Sequence, residues 1–237
     1  MTYLLYTPIK RNNLKLFIMS NFLHSISYFS DLSNADLLEI EQSVIIKTYQ
    51  PEQMVLMEGD VAKGLYIVES GWLKVVKLSI GGREQILNVL SPSEVFNGVA
   101  AFTDSLNQAT VIALEESVVW FIGRSTMQRL LAAHPKLSQH IIQDFATRIQ
   151  HLVGLVEDLS LRSVESRLAR SLLEGNDGAS VQRLKWATQT EMAARLGTVP
   201  EVLNRALRKL VEDGLIEVHR HQIKIIDSEG LKLKIDL

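Results

Sequence analysis

A chain of 237 residues has room for two domains with separate cores, and the absence of cysteine excludes disulfides, thiolate zinc sites, cysteine-ligated iron–sulfur clusters and cysteine nucleophiles together. The net charge of −2 does not announce nucleic acid, but it divides unevenly: from Ser160 onward 13 Lys and Arg face 11 Asp and Glu, a balance of +2, which leaves −4 for the first 159 residues. Apolar runs are short, and Pro8, Lys10, Arg11 and Lys15 break the first stretch, so neither a signal peptide nor a membrane span is expected and the chain reads as cytoplasmic.

Met19 is a second plausible start, which makes residues 1–18 an N-terminal extension. From Phe22 to Val44 the positions Leu32, Leu37, Leu38 and Ile40 have helical spacing, and Ser33 or Asn34 can cap the second of two short helices. Between Ile45 and Arg124 the pattern changes to runs such as "LYIVES", "VVKLSI" and "SVVWFI", punctuated by glycines. Such strands predict an antiparallel barrel or roll over residues 19–135, with Gly81-Gly82 as a hairpin turn. A long helix follows over residues 136–160. Along it Ile142, Phe145, Ile149, Leu152, Val156 and Leu159 recur at steps of 3, 4, 3, 4 and 3, the a/d seam of a two-stranded coiled coil. A homodimer is the expectation, and a helix lying on its own barrel is the alternative that one apolar face also allows.

Residues 161–237 form the last domain. "SVESRLARSLLEGNDG" predicts a helix capped by Ser163 and stopped by Gly175 and Gly178. In "TQTEMAARLGTVPEVLNRALRKL" two amphipathic segments meet at Gly197, with Thr198 and Glu201 spaced as a capping box and Pro200 in the first turn. Val202, Leu203, Ala206, Leu207 and Leu210 face inward on the second helix, which leaves Glu201, Asn204, Arg205 and Arg208 outward. That is a helix-turn-helix whose outward Glu and Arg would meet base edges in a major groove, with Thr188 donating to phosphate and Arg208 and Lys209 adding charge. The following "GLIEVHRHQIKIID" predicts two strands joined at Arg220-His221-Gln222, a wing. The competing reading is a three-helix packing motif with solvated charges.

"MEGDVAKGLYIVESGWLKVVK", "AAHPKL", "RSVESRLARSLL" and "PEVLNR" resemble the Crp/Fnr family of bacterial transcription regulators, and the resemblance spans Phe22 to Ile235. It implies an α+β chain: an antiparallel β-roll (double-stranded β-helix) of the cyclic-nucleotide-binding type, a long dimerisation helix and a C-terminal winged helix-turn-helix that reads a palindromic operator in duplex DNA. Glu201 and Arg205 fall on the family's base-reading Glu and Arg, while Asn204 stands where many members carry Ser. RNA polymerase is left open as a further partner.

In members that bind cyclic AMP, a cassette supplies Glu for the ribose and an Arg with Ser or Thr for the phosphate. Here the matching positions are Val99, Gln108 and Ala109, and the pair that meets the adenine corresponds to Leu152 and Val153. A buried anion without a charged partner is costly, so cyclic AMP is not the expected effector. Lys74 and Arg83, on neighbouring strands, are the two cations that could compensate. Haem stays open as a cofactor, although His24, His134, His140, His151, His219 and His221 each have a duller explanation. No phosphate loop, catalytic triad or metal-ligand spacing argues for an enzyme. The rival from another class is a ligand-binding module whose winged helix grips a protein.

Overall fold

The computed structural model describes residues 21–174, 180–182, 186–219 and 222–235. The extension 1–18, the stops at Gly175 and Gly178 and the wing tip at Arg220-His221 lie outside the described residues. The chain divides into two compact units, residues 1–73 with 90–146 and residues 74–89 with 147–237.

In the first unit residues 21–25 are helical, and helix α1 follows over Asn34–Ser43. Ser33 caps α1: its hydroxyl accepts from the Asp36 amide, and the Asp36 carboxylate accepts from the Ser33 amide at 3.1 Å. The eight strands of the roll are β1 (Ile45–Tyr49), β2 (Met54–Leu56), β3 (Gly64–Ser70), β4 (Leu73–Leu78), β5 (Glu84–Leu90), β6 (Val95–Phe96), β7 (Thr110–Ala113) and β8 (Ser117–Gly123). They form two four-stranded sheets with strand orders β1-β8-β3-β6 and β2-β7-β4-β5. Period-two alternation sets the inner face: Leu65 pairs with Ile122 and Ile67 with Trp120, and all four are buried in one core. Leu23, Leu37 and Ile40 from the N-terminal helices and Ile26 and Phe29 from the turn between them close that core, with Met127 and Leu130 from α2 (Arg124–Ala133).

Helix α3 runs over Pro135–Leu161, 27 residues or about 40 Å at the usual rise. Proline at its first position loses no hydrogen bond. Leu137 and Ile141 are buried in the core of the first unit, and Phe145 packs against it.

The second unit begins with the β4–β5 hairpin, where Gly82 takes the left-handed φ of +76° that the turn between Ser79 and Arg83 requires. It continues with α4 (Val164–Leu173), β9 (Ser180–Gln182), α5 (Gln189–Arg195), α6 (Pro200–Glu212), β10 (Ile216–Val218), β11 (Gln222–Ile225) and α7 (Ser228–Ile235). Ser163 caps α4, accepting from the Ser166 amide at 3.1 Å. Leu168, Leu172, Leu203, Leu210, Ile216, Ile223 and Leu231 make one core under a three-stranded sheet of order β10-β11-β9.

Two local expectations are corrected. The N-cap of α6 is Val199 and not Thr198, and no side chain caps the helix. Pro200 occupies the first helical position, which moves the start one residue inward and leaves Thr198 bonded through its amide to the Ala193 carbonyl in the turn. The C-terminal domain also has two elements beyond the expected wing, β9 and α7.

Candidate nucleic-acid interface

Thr188 opens the helix-turn-helix as the N-cap of α5. Its hydroxyl accepts from the Glu191 amide at 3.2 Å and donates to the Glu191 carboxylate. The hydroxyl proton offered to a phosphate in the sequence reading is therefore held within the first turn. The other oxygen of Glu191 lies 3.2 Å from the Lys74 ammonium, which is 2.9 Å from Glu84. Lys74 is only 4% exposed. Burial works to lower its pKa, and the hydrogen bonds and charges of Glu84 and Glu191 outweigh burial and raise it.

Gly197 makes the turn with φ +65°, and a Cβ there would collide with Leu159 Cδ2 and Gln85 Oε1. Its carbonyl accepts from Arg83. Along α6, Leu203, Ala206, Leu207 and Leu210 are buried and Val202 is half-buried, so the opposite face carries Glu201, Arg205 and Arg208, all exposed, with Asn204 half-buried beside them. At about 100° per residue these outward positions share one face over the first three turns of the helix. They are brought together as the spacing implies. Asn204 Nδ2 donates to Gln189 Oε1 at 3.2 Å, a partner that no spacing rule marks, because it comes from the first position of the preceding helix.

The far end of α6 is fixed by charge. Lys234 bridges Asp213 and Glu165, each at 2.8 Å, and Lys209 lies 3.4 Å from Asp213. The hydrogen bond from Lys234 is the main reason the Asp213 carboxyl titrates below the usual carboxylate range. In the wing, β10 and β11 pair Ile216 with Ile225, both buried in the core, and the exposed Val218 with the buried Ile223, while Glu217 opposes Lys224 at 3.8 Å.

The cassette residues lie in the first unit. Val99 is exposed in the 3₁₀ turn Gly98–Ala101, Gln108 is exposed and donates to the Leu106 carbonyl at 2.8 Å, and Ala109 is half-buried. Two asparagines hold this segment: Asn97 donates to the Gly64 carbonyl and to Asn107, and the buried Asn107 donates to the Met57 carbonyl. Neither asparagine is marked by the family pattern. Leu152 and Val153 are exposed on α3. Both compensating cations are engaged in the second unit, Lys74 by Glu84 and Glu191 and Arg83 by the Gly197 carbonyl.

On α3 the seam divides. Phe145 turns to its own roll, where its ring meets Phe102 edge to face at 5.9 Å. Ile142, Ile149 and Val156 are 66%, 60% and 64% exposed, and Leu152 and Leu159 are exposed on the same stripe. Of the histidines, His24 faces Asn34, His134 faces Asp36, His140 faces Asp31, His151 faces the Leu87 carbonyl and His219 faces Glu217. His221 lies outside the described residues. Among the described residues no group of three or more His, Asp or Glu is placed to hold a metal ion, and no helix is long and apolar enough to cross a membrane.

Residues 46–134 match the cyclic nucleotide-binding domain family, and residues 166–233 match the Crp-like helix-turn-helix domain family. The protein described as "probable transcriptional regulator flp" of Lacticaseibacillus casei is 30% identical over 184 residues, 75% of this chain and 82% of that one. The chain belongs to the Crp/Fnr family of transcription regulators. Another Crp/Fnr relative, the CRP-like cAMP-activated global transcriptional regulator of Mycobacterium tuberculosis, is 26% identical over 183 residues, again 75% of this chain and 82% of that one. The same fold recurs in FixK2 from Bradyrhizobium japonicum (TM-score 0.69, 20% identity, 80% of this chain and 96% of that one). It recurs also in a Crp/Fnr-family regulator from Thermus thermophilus (TM-score 0.64, 19% identity, 81% and 99%). In this Crp/Fnr protein α5 and α6 lie within the matched helix-turn-helix domain.

Proposed function

We propose that this Crp/Fnr regulator works in the cytoplasm as a homodimer on a palindromic operator, and that its effector is an apolar or weakly charged molecule rather than cyclic AMP. The observation that carries the DNA side is the outward set on α6, Glu201, Arg205 and Arg208 beside Asn204, above a face wholly committed to the core. A surface that grips a protein has no need of Glu and Arg one turn apart, whereas Glu accepts from cytosine N4 and Arg donates twice to guanine. Residues 19–135 then form the effector roll, 136–160 the dimerisation helix and 161–237 the operator-binding domain. RNA polymerase is the partner that an activator would engage from the DNA.

The effector side rests on chemistry. Val99, Gln108 and Ala109 offer no carboxylate to a ribose and no cation to a cyclic phosphate, and Lys74 and Arg83 are bonded elsewhere. Each missing ionic hydrogen bond removes about 1.5–3 kcal/mol, so the loss of several weakens a nucleotide by powers of ten. The cassette therefore departs from the cyclic-nucleotide-binding domain it otherwise resembles. A haem-ligating histidine binds through one ring nitrogen and commonly donates through the other, so the partners facing His24, His134, His140, His151 and His219 leave a haem-based sensor as the alternative reading.

Two measurements test this reading. In binding to a random duplex pool, Arg205→Ala should weaken the selected operator by about 1–3 kcal/mol and relax one base per half-site; an equal loss for every sequence would make Arg205 a phosphate contact. Isothermal titration should find no micromolar binding of cyclic AMP or cyclic GMP, and finding either would restore nucleotide sensing.

A further inference from the structure

Within the second unit, β5, α3, α4 and α5 line a cavity of about 210 Å³. Ile86, Leu87 and Val89 from β5 and Leu155 and Leu159 from α3 give it an apolar wall, and His151 ties those two elements, its Nε2 lying 3.1 Å from the Leu87 carbonyl. Gly154 lines it too, in the interior of a 27-residue helix, where glycine is weaker than alanine. A Cβ at Gly154 would meet no atom within 4 Å, so packing does not demand the glycine and the space beside it is open.

Three arginines line the cavity, Arg167 and Arg170 from α4 and Arg195 from the end of α5, against two carboxylates, Asp158 and Glu174. Both carboxylates are engaged. Arg170 pairs with Asp158 at 2.9 Å and with Glu174 at 2.7 Å, and Arg162, from outside the cavity, adds a second cation to Asp158 at 3.2 Å. Among the described residues the guanidinium groups of Arg167 and Arg195 make no hydrogen bond or ion pair, and the Nε of Arg167 is buried. Burial lowers the pKa of Arg167, the charge of Asp158 opposing that shift and the charge of Arg83 adding to it. An unpaired buried cationic donor is costly, and the group that matches a guanidinium is a carboxylate, which accepts two parallel N–H···O bonds. The apolar wall calls for an apolar body behind that carboxylate, which a strongly hydrated inorganic anion lacks. We propose that this cavity is a ligand site for a small aliphatic monocarboxylate, held by Arg167 with the exposed Arg195 as its second cation. Val99, Gln108 and Ala109 belong to the other unit, so the effector of the roll is not the molecule held here. Nothing in the site depends on how α6 meets DNA.

The test is isothermal titration of the full chain with acetate, butanoate, hexanoate and octanoate, with hexan-1-ol and inorganic phosphate as controls. Affinity should rise about fourfold with each added methylene until the cavity is full. Hexan-1-ol and phosphate should each bind at least tenfold more weakly than hexanoate, the first lacking the charge and the second the apolar body. Arg167→Gln should weaken hexanoate at least tenfold, and Arg195→Gln about twofold to fivefold, because an exposed pair is worth less. Gly154→Leu places a side chain in open space, so it should melt no lower than wild type and lose hexanoate binding, which decides the matter even if Arg167→Gln unfolds. The assignment is overturned if no carboxylate binds saturably in the millimolar range, or if hexan-1-ol or phosphate matches hexanoate. It is overturned equally if folded Arg167→Gln or Gly154→Leu binds hexanoate as wild type does, since the carboxylate then sits elsewhere.

Discussion

Replacing Ile149 by Glu asks what covers the apolar stripe on α3. Ile149 is 60% exposed on the single chain. Full burial of such a side chain is worth about 1.5–3 kcal/mol, so covering the exposed share contributes about 1–2 kcal/mol per copy. A two-fold axis applies that term twice, about 2–4 kcal/mol, before the desolvation of two carboxylates adds to the loss. A dimer dissociation constant should therefore rise by roughly thirtyfold to several hundredfold from the apolar term alone. The protomer itself should be spared, since the side chain contributes little to its core. Sedimentation over a concentration series reads the association, and thermal unfolding followed by circular dichroism reads the fold. A variant that unfolds at the wild-type temperature but sediments as a monomer and loses operator affinity meets the expectation. A variant that stays dimeric with an unchanged dissociation constant refutes it, and the stripe then belongs to some other contact.

Leu203 is fully buried under α6, so Leu203→Ala should destabilise the winged-helix domain by about 2–5 kcal/mol in denaturant unfolding; a loss under 1 kcal/mol would mean the core collapses around the gap. Glu41 is 8% exposed, both its carboxylate oxygens lack a hydrogen-bond partner among the described residues, and burial raises its pKa. The folded state thus disfavours the ionised form, a cost that is absent below the ordinary carboxylate range near pH 4 and grows as pH rises above it. Glu41→Gln should melt higher than wild type at pH 7, with the advantage gone by about pH 4; identical melting curves at both pH values would show that the carboxylate is not penalised.

What the sequence discloses and what it hides divide along physical lines. Strand runs with glycine breaks, the Ser163 cap and the long helix are local features, encoded in neighbours three or four residues apart, and each is found where the pattern puts it. Helix α7 escapes the same method because Leu231, Leu233 and Ile235 alternate with Lys232 and Lys234, a period suited to a strand. The α6 cap is displaced because proline overrides a Thr-x-x-Glu pattern. Phe145 keeps the seam spacing and still turns to its own roll, since one apolar helix face serves a core and a seam alike. The link from Gln189 to Asn204 joins two helices and leaves no trace in either one's periodicity.

The missing side chain at Gly197 has a mechanical meaning. Leu159 Cδ2 and Gln85 Oε1 occupy the space that a Cβ would need, and Arg167 Nη1 stands 3.3 Å from that point. The last residue of the α3 stripe therefore rests directly on the backbone of the turn, with no compressible layer between. A shift of Leu159 by a few tenths of an ångström has two outlets, a change of its own rotamer or a displacement of the peptide that starts the recognition helix. Close packing makes such a contact stiff, so the tolerance with which α6 is aimed is set by one leucine on a helix four elements upstream.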